Sequence, residues 1–199
     1  YIGACGFQSS QQVLEIWQLL RTFDQDSPTF MVGAMTSHKI LHGLSTRHTI
    51  EYPPVDNLKD IFSVKDPRIV NCLHYANYDA KRGFDLCSEL SILMDCCGPH
   101  LGAIQLDMPW PEVAELQKFK NRFESVDLIL QVGPDAMYTK HEDPMQIAHE
   151  VKHYVGLISH VLLDASGGEG IPIDTSLIEG YIDSIGTVGC DVQFAVAGG

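Results

Sequence analysis

Residues 160–186 read "HVLLDASGGEGIPIDTSLIEGYIDSIG", a strand, a glycine-rich loop and a helix in one stretch. The strand, His160 to Ser166, opens on a continuous apolar run instead of alternating apolar and polar residues. That pattern belongs to parallel strands whose two faces are both covered by helices. The same alternation runs along the chain. "YIGACGF" (1–7) is a strand, followed by the helix N-caps Ser9 and Ser10 and by "QQVLEIWQLLRTF", with apolar residues at helical spacing. "TFMVGAMTS" (29–37) and "RIVNCLHYAN" (68–77) are strands, the second followed by a helix that Asp79 is expected to open. "LGAIQLDM" (101–108) precedes the helix "PWPEVAELQKFKNRF", with proline in its first turn. "VDLILQVG" (126–133) precedes "DPMQIAHEVKHYVGLI", with Asp143 as cap and Pro144 at the first position. "VQFAVAGG" (192–199) is the last strand. Thr36 to Phe62 differs: it has no clear period before Val55 and reads as a long loop leading into a short helix.

Seven strands result, each but the last followed by a helix. A doubly wound sheet would carry G-x-G-x-x-G after its first strand, and this chain does not. A (β/α)8 TIM barrel is the expected fold, with residues 1–199 forming a single domain. Seven of its strands are visible, and the eighth unit is expected beyond Gly199.

Composition narrows the function. Hydrophobic residues make up 45 % of 199, enough for a substantial core. The formal charge of −13 argues against nucleic acid and against anionic membrane surfaces as partners. No apolar run approaches the roughly 20 residues of a membrane span. The six cysteines include no CxxC pair and read as reduced, mostly buried thiols of a cytoplasmic protein.

The segments "HVLLDASGGEGIPIDTSLI" (160–178), "YIGACGF", "LGAIQLD" (101–107) and "FAVAGG" (194–199) resemble, in order and spacing, the phosphoribosylanthranilate isomerase family. The resemblance implies an Amadori rearrangement in the tryptophan pathway, in which an aminoaldose phosphate becomes an aminoketose phosphate. It makes Asp164 the general acid and Cys5 the general base, with no cofactor and no metal. Apolar neighbours Leu162 and Leu163 would favour a protonated Asp164, and Cys5 would need a depressed pKa to act as a thiolate. Each residue also has a structural reading: Cys5 as a small buried hydrophobe, Asp164 as a turn cap. The resemblance further implies substrate contacts from Gln105 and Asp107, and a phosphate cradle built from Gly198 and Gly199. Arg47, with Lys39 behind it, is the implied partner of the substrate carboxylate. Gly167, Gly168 and Gly170 are implied as a lid, with a plain surface turn as the other reading. Two departures stand out. Gly3 replaces the family's lysine, and Asp107 replaces its histidine, placing a carboxylate beside an anionic substrate. A relative with another sugar substrate, or one that binds without turnover, is therefore a competing reading.

A third class comes from "HEVKHYVGLISH" (149–160), whose His149-Glu150-x-x-His153 matches the zinc-peptidase pattern. The longer form wants its third histidine three residues after the glycine, whereas His160 lies four after Gly156. No methionine follows Met145, so the Met-turn is missing too. A solvated helix face is the expected reading. His38, His42 and His48 read as part of a mobile, solvated loop in preference to a metal or substrate site, and His74 as a satisfied core histidine.

Overall fold

The computed structural model describes residues 2–23, 28–46, 51–167 and 172–198. The chain divides into two compact units, Tyr1–Asn77 with Cys87–Gln105, and Tyr78–Leu86 with Leu106–Gly199. Strands and helices alternate in the order β1 (Ile2–Cys5), α1 (Ser10–Leu20), β2 (Phe30–Ser37), α2 (His38–Leu41), α3 (Leu58–Ile61), β3 (Ile69–Ala76) and α4 (Leu86–Cys97). There follow β4 (Leu101–Asp107), α5 (Val113–Arg122), β5 (Asp127–Val132), α6 (Pro134–Tyr138), α7 (Pro144–Val151), β6 (His160–Leu163), α8 (Thr175–Thr187) and β7 (Gln193–Val196). The strands are ordered in the sheet as they are in the chain.

In the first unit β1 pairs with β2 and β2 with β3, all parallel, with Cys5 opposite Gly33 and Gly33 opposite Cys72. The continuous apolar runs explain the burial: Val32, Ala34, Leu73 and Tyr75 are fully enclosed, as are Leu58, Leu90 and Leu93 from the helices. Ser9 caps α1 in a reciprocal capping box with Gln12. A polar clamp holds α1 to the turn before β3. Trp17 Nε1 donates to Asp66 Oδ2 at 2.9 Å, and the Arg68 backbone N–H donates to Asp66 Oδ1 at 2.9 Å. Arg68 also reaches the Leu20 carbonyl at 2.8 Å.

In the second unit β5, β6 and β7 are parallel in register, Ile129 opposite His160 and His160 opposite Gln193. Leu128, Leu130, Val132, Val161 and Leu163 are buried along them, with Phe119, Ile147 and Ile185 from helices. Asp143 caps α7 by accepting from the N–H groups of Met145 and Gln146, and Asp174 caps α8. Tyr154 is buried, and its hydroxyl donates to the Pro111 carbonyl at 2.7 Å.

Four boundaries differ from the sequence reading, each for a local reason. The helix expected from Asp79 starts at Leu86, because Gly83 adopts φ +81° and cannot sit in a right-handed helix. The helix expected from Pro109 starts at Val113: Pro109 and Pro111 precede it, and Trp110 between them holds φ +42°, outside the right-handed helical region. Within Thr36–Phe62, read as a loop before its short helix, α2 forms directly after β2, because the Ser37 hydroxyl caps it by accepting from the Ile40 N–H at 3.3 Å. α6, opened by Pro134 in its first turn, was not expected at all.

One buried amide in the first unit carries unusual weight. Asn71 Nδ2 donates to the carbonyls of Phe62, Val64 and His100 at 3.3, 3.1 and 2.9 Å. Asn71→Leu leaves those carbonyls without that donor in a site that is 3 % exposed. The expected loss is about 2–3 kcal/mol, read as a lower urea midpoint at unchanged slope. A midpoint equal to wild type would show that the three contacts contribute nothing net.

Candidate active site

Two polar clusters lie at the positions that the sequence marks for chemistry. The first belongs to the first unit. Cys5 ends β1 and is exposed, whereas Cys72, Cys87 and Cys97 are buried, and burial pushes the Cys97 thiol far above its usual range. Cys5 Sγ lies 3.9 Å from Nδ1 of His74 on β3, and Nε2 of Gln105 on β4 lies 3.4 Å from the same nitrogen. Cys5 and Gln105 are therefore brought to one imidazole. His74, expected as a core histidine, is half-buried and is the hub of this cluster. Gly33 makes room for the thiol: a Cβ there would lie 2.5 Å from Cys5 Sγ and 2.9 Å from the Ala4 carbonyl oxygen. A glycine inside a strand marks such a close approach.

The second cluster belongs to the second unit. Asp164 follows the last residue of β6 and is 7 % exposed. Its Oδ1 accepts from the Ser166 N–H at 3.2 Å, the Ser166 hydroxyl at 2.8 Å and the Gly167 N–H at 3.0 Å. Its Oδ2 accepts from Gln131 Nε2 at 3.1 Å. Asp164 thus does cap a turn, as one sequence reading has it. The same turn forms a wall of a cavity of about 440 Å³. Asp107 and Gln131, in the last residues of β4 and β5, face this cavity together with Gly133, Asp135, Ser166 and Gly167, which follow the C-terminal ends of β5 and β6. The Tyr78 hydroxyl donates to Asp107 Oδ1, so that carboxylate has a neutral donor beside it. Gln131 and Tyr78 were not expected here. A lone amide in the apolar run "VDLILQVG" is the signal that points to Gln131, because a buried amide needs partners.

The remaining candidates divide. Gly167 holds φ +59°, and a Cβ on it would meet Pro134 Cγ at 3.0 Å, so this part of the loop packs closely against the start of α6. Gly198 holds φ +150° two residues after β7. Arg47, His48, Gly168, Gly170 and Gly199 lie outside the described residues. Lys39 is exposed on α2.

The zinc-peptidase pattern does not assemble. α7 ends at Val151 and a 3-10 turn follows from Lys152 to Tyr154, so His149 and His153 do not share one α-helix. Both are exposed, and Glu150 is held by Lys140 Nζ at 2.5 Å. Two of the loop histidines, expected to be mobile and solvated, instead face a buried carboxylate. His38 Nδ1 and His42 Nε2 lie 2.7 and 2.5 Å from Oε1 of Glu89 on α4. The Tyr75 hydroxyl donates to Glu89 Oε2, and burial, with the Glu89 carboxylate beside it, pushes the Tyr75 phenol far above its usual range.

Parallel strands alternating with helices, and polar groups gathered past strand C-termini, define a TIM-like α/β protein with its candidate site at the usual end. Among solved structures the chain is similar to phosphoribosyl anthranilate isomerase from Thermus thermophilus, with a TM-score of 0.59 and 12 % identity over 99 % of this chain and 86 % of that one. It is similar also to TrpF from Jonesia denitrificans, with a TM-score of 0.56 and 12 % identity over 100 % of this chain and 74 % of the other. At that identity the likeness is one of fold. No family model matches the sequence, and no curated protein matches it. No helix among the described residues is long and apolar enough to cross a membrane.

Proposed function

We propose that this chain is an aldose–ketose isomerase of the phosphoribosylanthranilate isomerase type, acting on a phosphorylated aminoaldose in the cytoplasm. The observation that carries the proposal is the turn that Asp164 holds at the end of β6, whose Ala165, Ser166 and Gly167 line a cavity wide enough for a sugar ring. The likeness of fold to two isomerase structures supports the reaction class.

The rearrangement moves two protons and changes no net atoms. Asp164 passes a proton to the ring oxygen as the C1–O bond breaks, leaving an open-chain Schiff base. Cys5, as thiolate, then takes the proton from C2, and the electron pair moves to give the enolamine that becomes the ketone. Oδ2 of Asp164 is the oxygen for the departing proton, since it has one partner and Oδ1 has three. His74 is the group positioned to receive the thiol proton and leave Cys5 basic, a pairing that is often looser without substrate. The phosphate is assigned to backbone N–H groups after β7, where Gly198 holds a conformation that favours glycine.

Asp107 and Asp135 favour a second reading of the substrate. Both face the cavity, and its described lining includes no lysine or arginine. A substrate without the anthranilate carboxylate would meet less repulsion there. The deciding experiment incubates the 199-residue chain with C2-labelled phosphoribosylanthranilate and follows the carbon signal by NMR. Growth of a ketone resonance above the buffer rate is the expected result. No growth would sink the first reading, and an aminoaldose phosphate with a neutral N-substituent would then test the second.

A further inference from the structure

We propose that His38, His42 and Glu89 form a binding site for one divalent transition-metal ion, with Zn²⁺ the preferred occupant. Among the described residues, this is the group of His, Cys, Asp and Glu side chains whose ligand atoms converge, all within 4.8 Å of one another. The three come from two elements of the same unit. His38 opens α2 and His42 closes it, four residues on, so both rings stand on one face of the turn that follows β2. Their centroids lie 4.6 Å apart. Glu89 comes from the first turn of α4.

Burial and orientation separate this group from a chance surface cluster. Glu89 is 7 % exposed, and a buried carboxylate must be compensated by charge or by donors. Its two oxygens divide the work: Oε1 faces both imidazoles, and Oε2 takes the Tyr75 hydroxyl. A hydrogen-bonded second oxygen is the outer-shell support that fixes a metal-ligating carboxylate. The side chains of His38 and His42 are 29 % and 47 % exposed, so an ion has a path in and room for water as a fourth ligand.

The donor set selects the metal. Two imidazole nitrogens and one carboxylate oxygen suit zinc in a four-coordinate site, whereas calcium and magnesium prefer oxygen alone. The separations of 2.7 and 2.5 Å are hydrogen-bond lengths. Two ligands of a tetrahedral zinc, each about 2.0 Å from it, stand about 3.3 Å apart, so loading spreads the group by roughly 0.7 Å. Rotation of the half-exposed His42 ring supplies that movement, and the imidazoles give up the protons they share with Glu89. The occupied site ties the turn after β2 to α4. It takes no part in the proton transfers assigned to Cys5 and Asp164, and stands or falls without them.

The test is a titration of chelator-stripped protein with Co²⁺, followed by displacement with Zn²⁺. A visible absorption band of tetrahedral intensity, saturating at one equivalent and lost on adding zinc, is expected. His38→Ala and His42→Gln should each weaken binding by about tenfold or more, and Tyr75→Phe by a similar factor, because Glu89 loses the hydroxyl that fixes its other oxygen. His149→Ala and His153→Ala should leave the titration unchanged. Should Glu89→Gln fail to fold, the half-exposed His42→Gln variant carries the test, with its circular dichroism as the folding check. No saturable band at micromolar metal, or full affinity in a His38→Ala/His42→Gln double variant, would overturn the proposal.

Discussion

Asp164→Asn is expected to lower turnover of the aminoaldose phosphate by about 10²–10⁴-fold, the usual contribution of a general acid or base. Asparagine keeps the shape of the side chain and most of its contacts. Its Oδ1 takes over the donors from Ser166 and Gly167, which hold the turn. Its Nδ2 then faces Gln131, whose amide rotates to present oxygen in place of the N–H that Asp164 Oδ2 accepts. What disappears is the one group in this turn that can release a proton to the ring oxygen. A loss of turnover with an unchanged thermal midpoint is therefore the expected pair of results. Wild-type turnover in this variant would remove Asp164 from the chemistry and leave it a turn cap.

Cys5→Ser should cost a comparable factor, about 10²-fold or more. The serine hydroxyl is almost the same size, yet it is far too weak an acid to form the oxyanion near neutrality, so C2 keeps its proton. His74→Asn should reproduce part of that loss, because the amide cannot accept the thiol proton that Nδ1 faces at 3.9 Å. Rate measurements on the two variants and their double mutant separate the cases. Non-additive losses mark a working pair, whereas fully additive ones would show that His74 does not act through Cys5.

Much of this arrangement can be read from the residues alone. The apolar runs around Val32, Leu73, Leu130 and Leu163 announce parallel strands, and Ser9 and Asp143 are the caps that their helices use. Asp164 is legible because an acid directly after a buried strand sits where such folds collect their chemistry. What is hidden depends on contacts far apart in sequence. His74 sits in a plain apolar run, and only the parallel pairing of β1, β2 and β3 places it beside Cys5, 69 residues away. Glu89 lies 51 residues from His38, in a helix whose other turns are unremarkable, so no local spacing marks it as the partner of the histidines. Conversely, His149 and His153 have the spacing of a metal pair, but the change to a 3-10 turn after Val151 breaks the face that the pattern assumes. Proline and glycine account for the misplaced helix starts, since Gly83 and the Pro109–Pro111 pair override the apolar period around them.

The clamp between α1 and the turn before β3 has a consequence for acid titration. The Arg68 backbone N–H, then its guanidinium and the Trp17 indole, hold Asp66 in its charged form and lower its pKa from 3.8 to about 2. A carboxyl group whose folded pKa is depressed stabilises the fold above its unfolded value and loses that contribution as the solution is acidified. For Asp66 the window runs from near pH 4, where the unfolded chain begins to take up the proton, down to about pH 2, where the folded chain does so as well. Above that window the Asp66 clamp keeps its contribution, so a loosening of this protein at pH 5 would draw on groups other than Asp66.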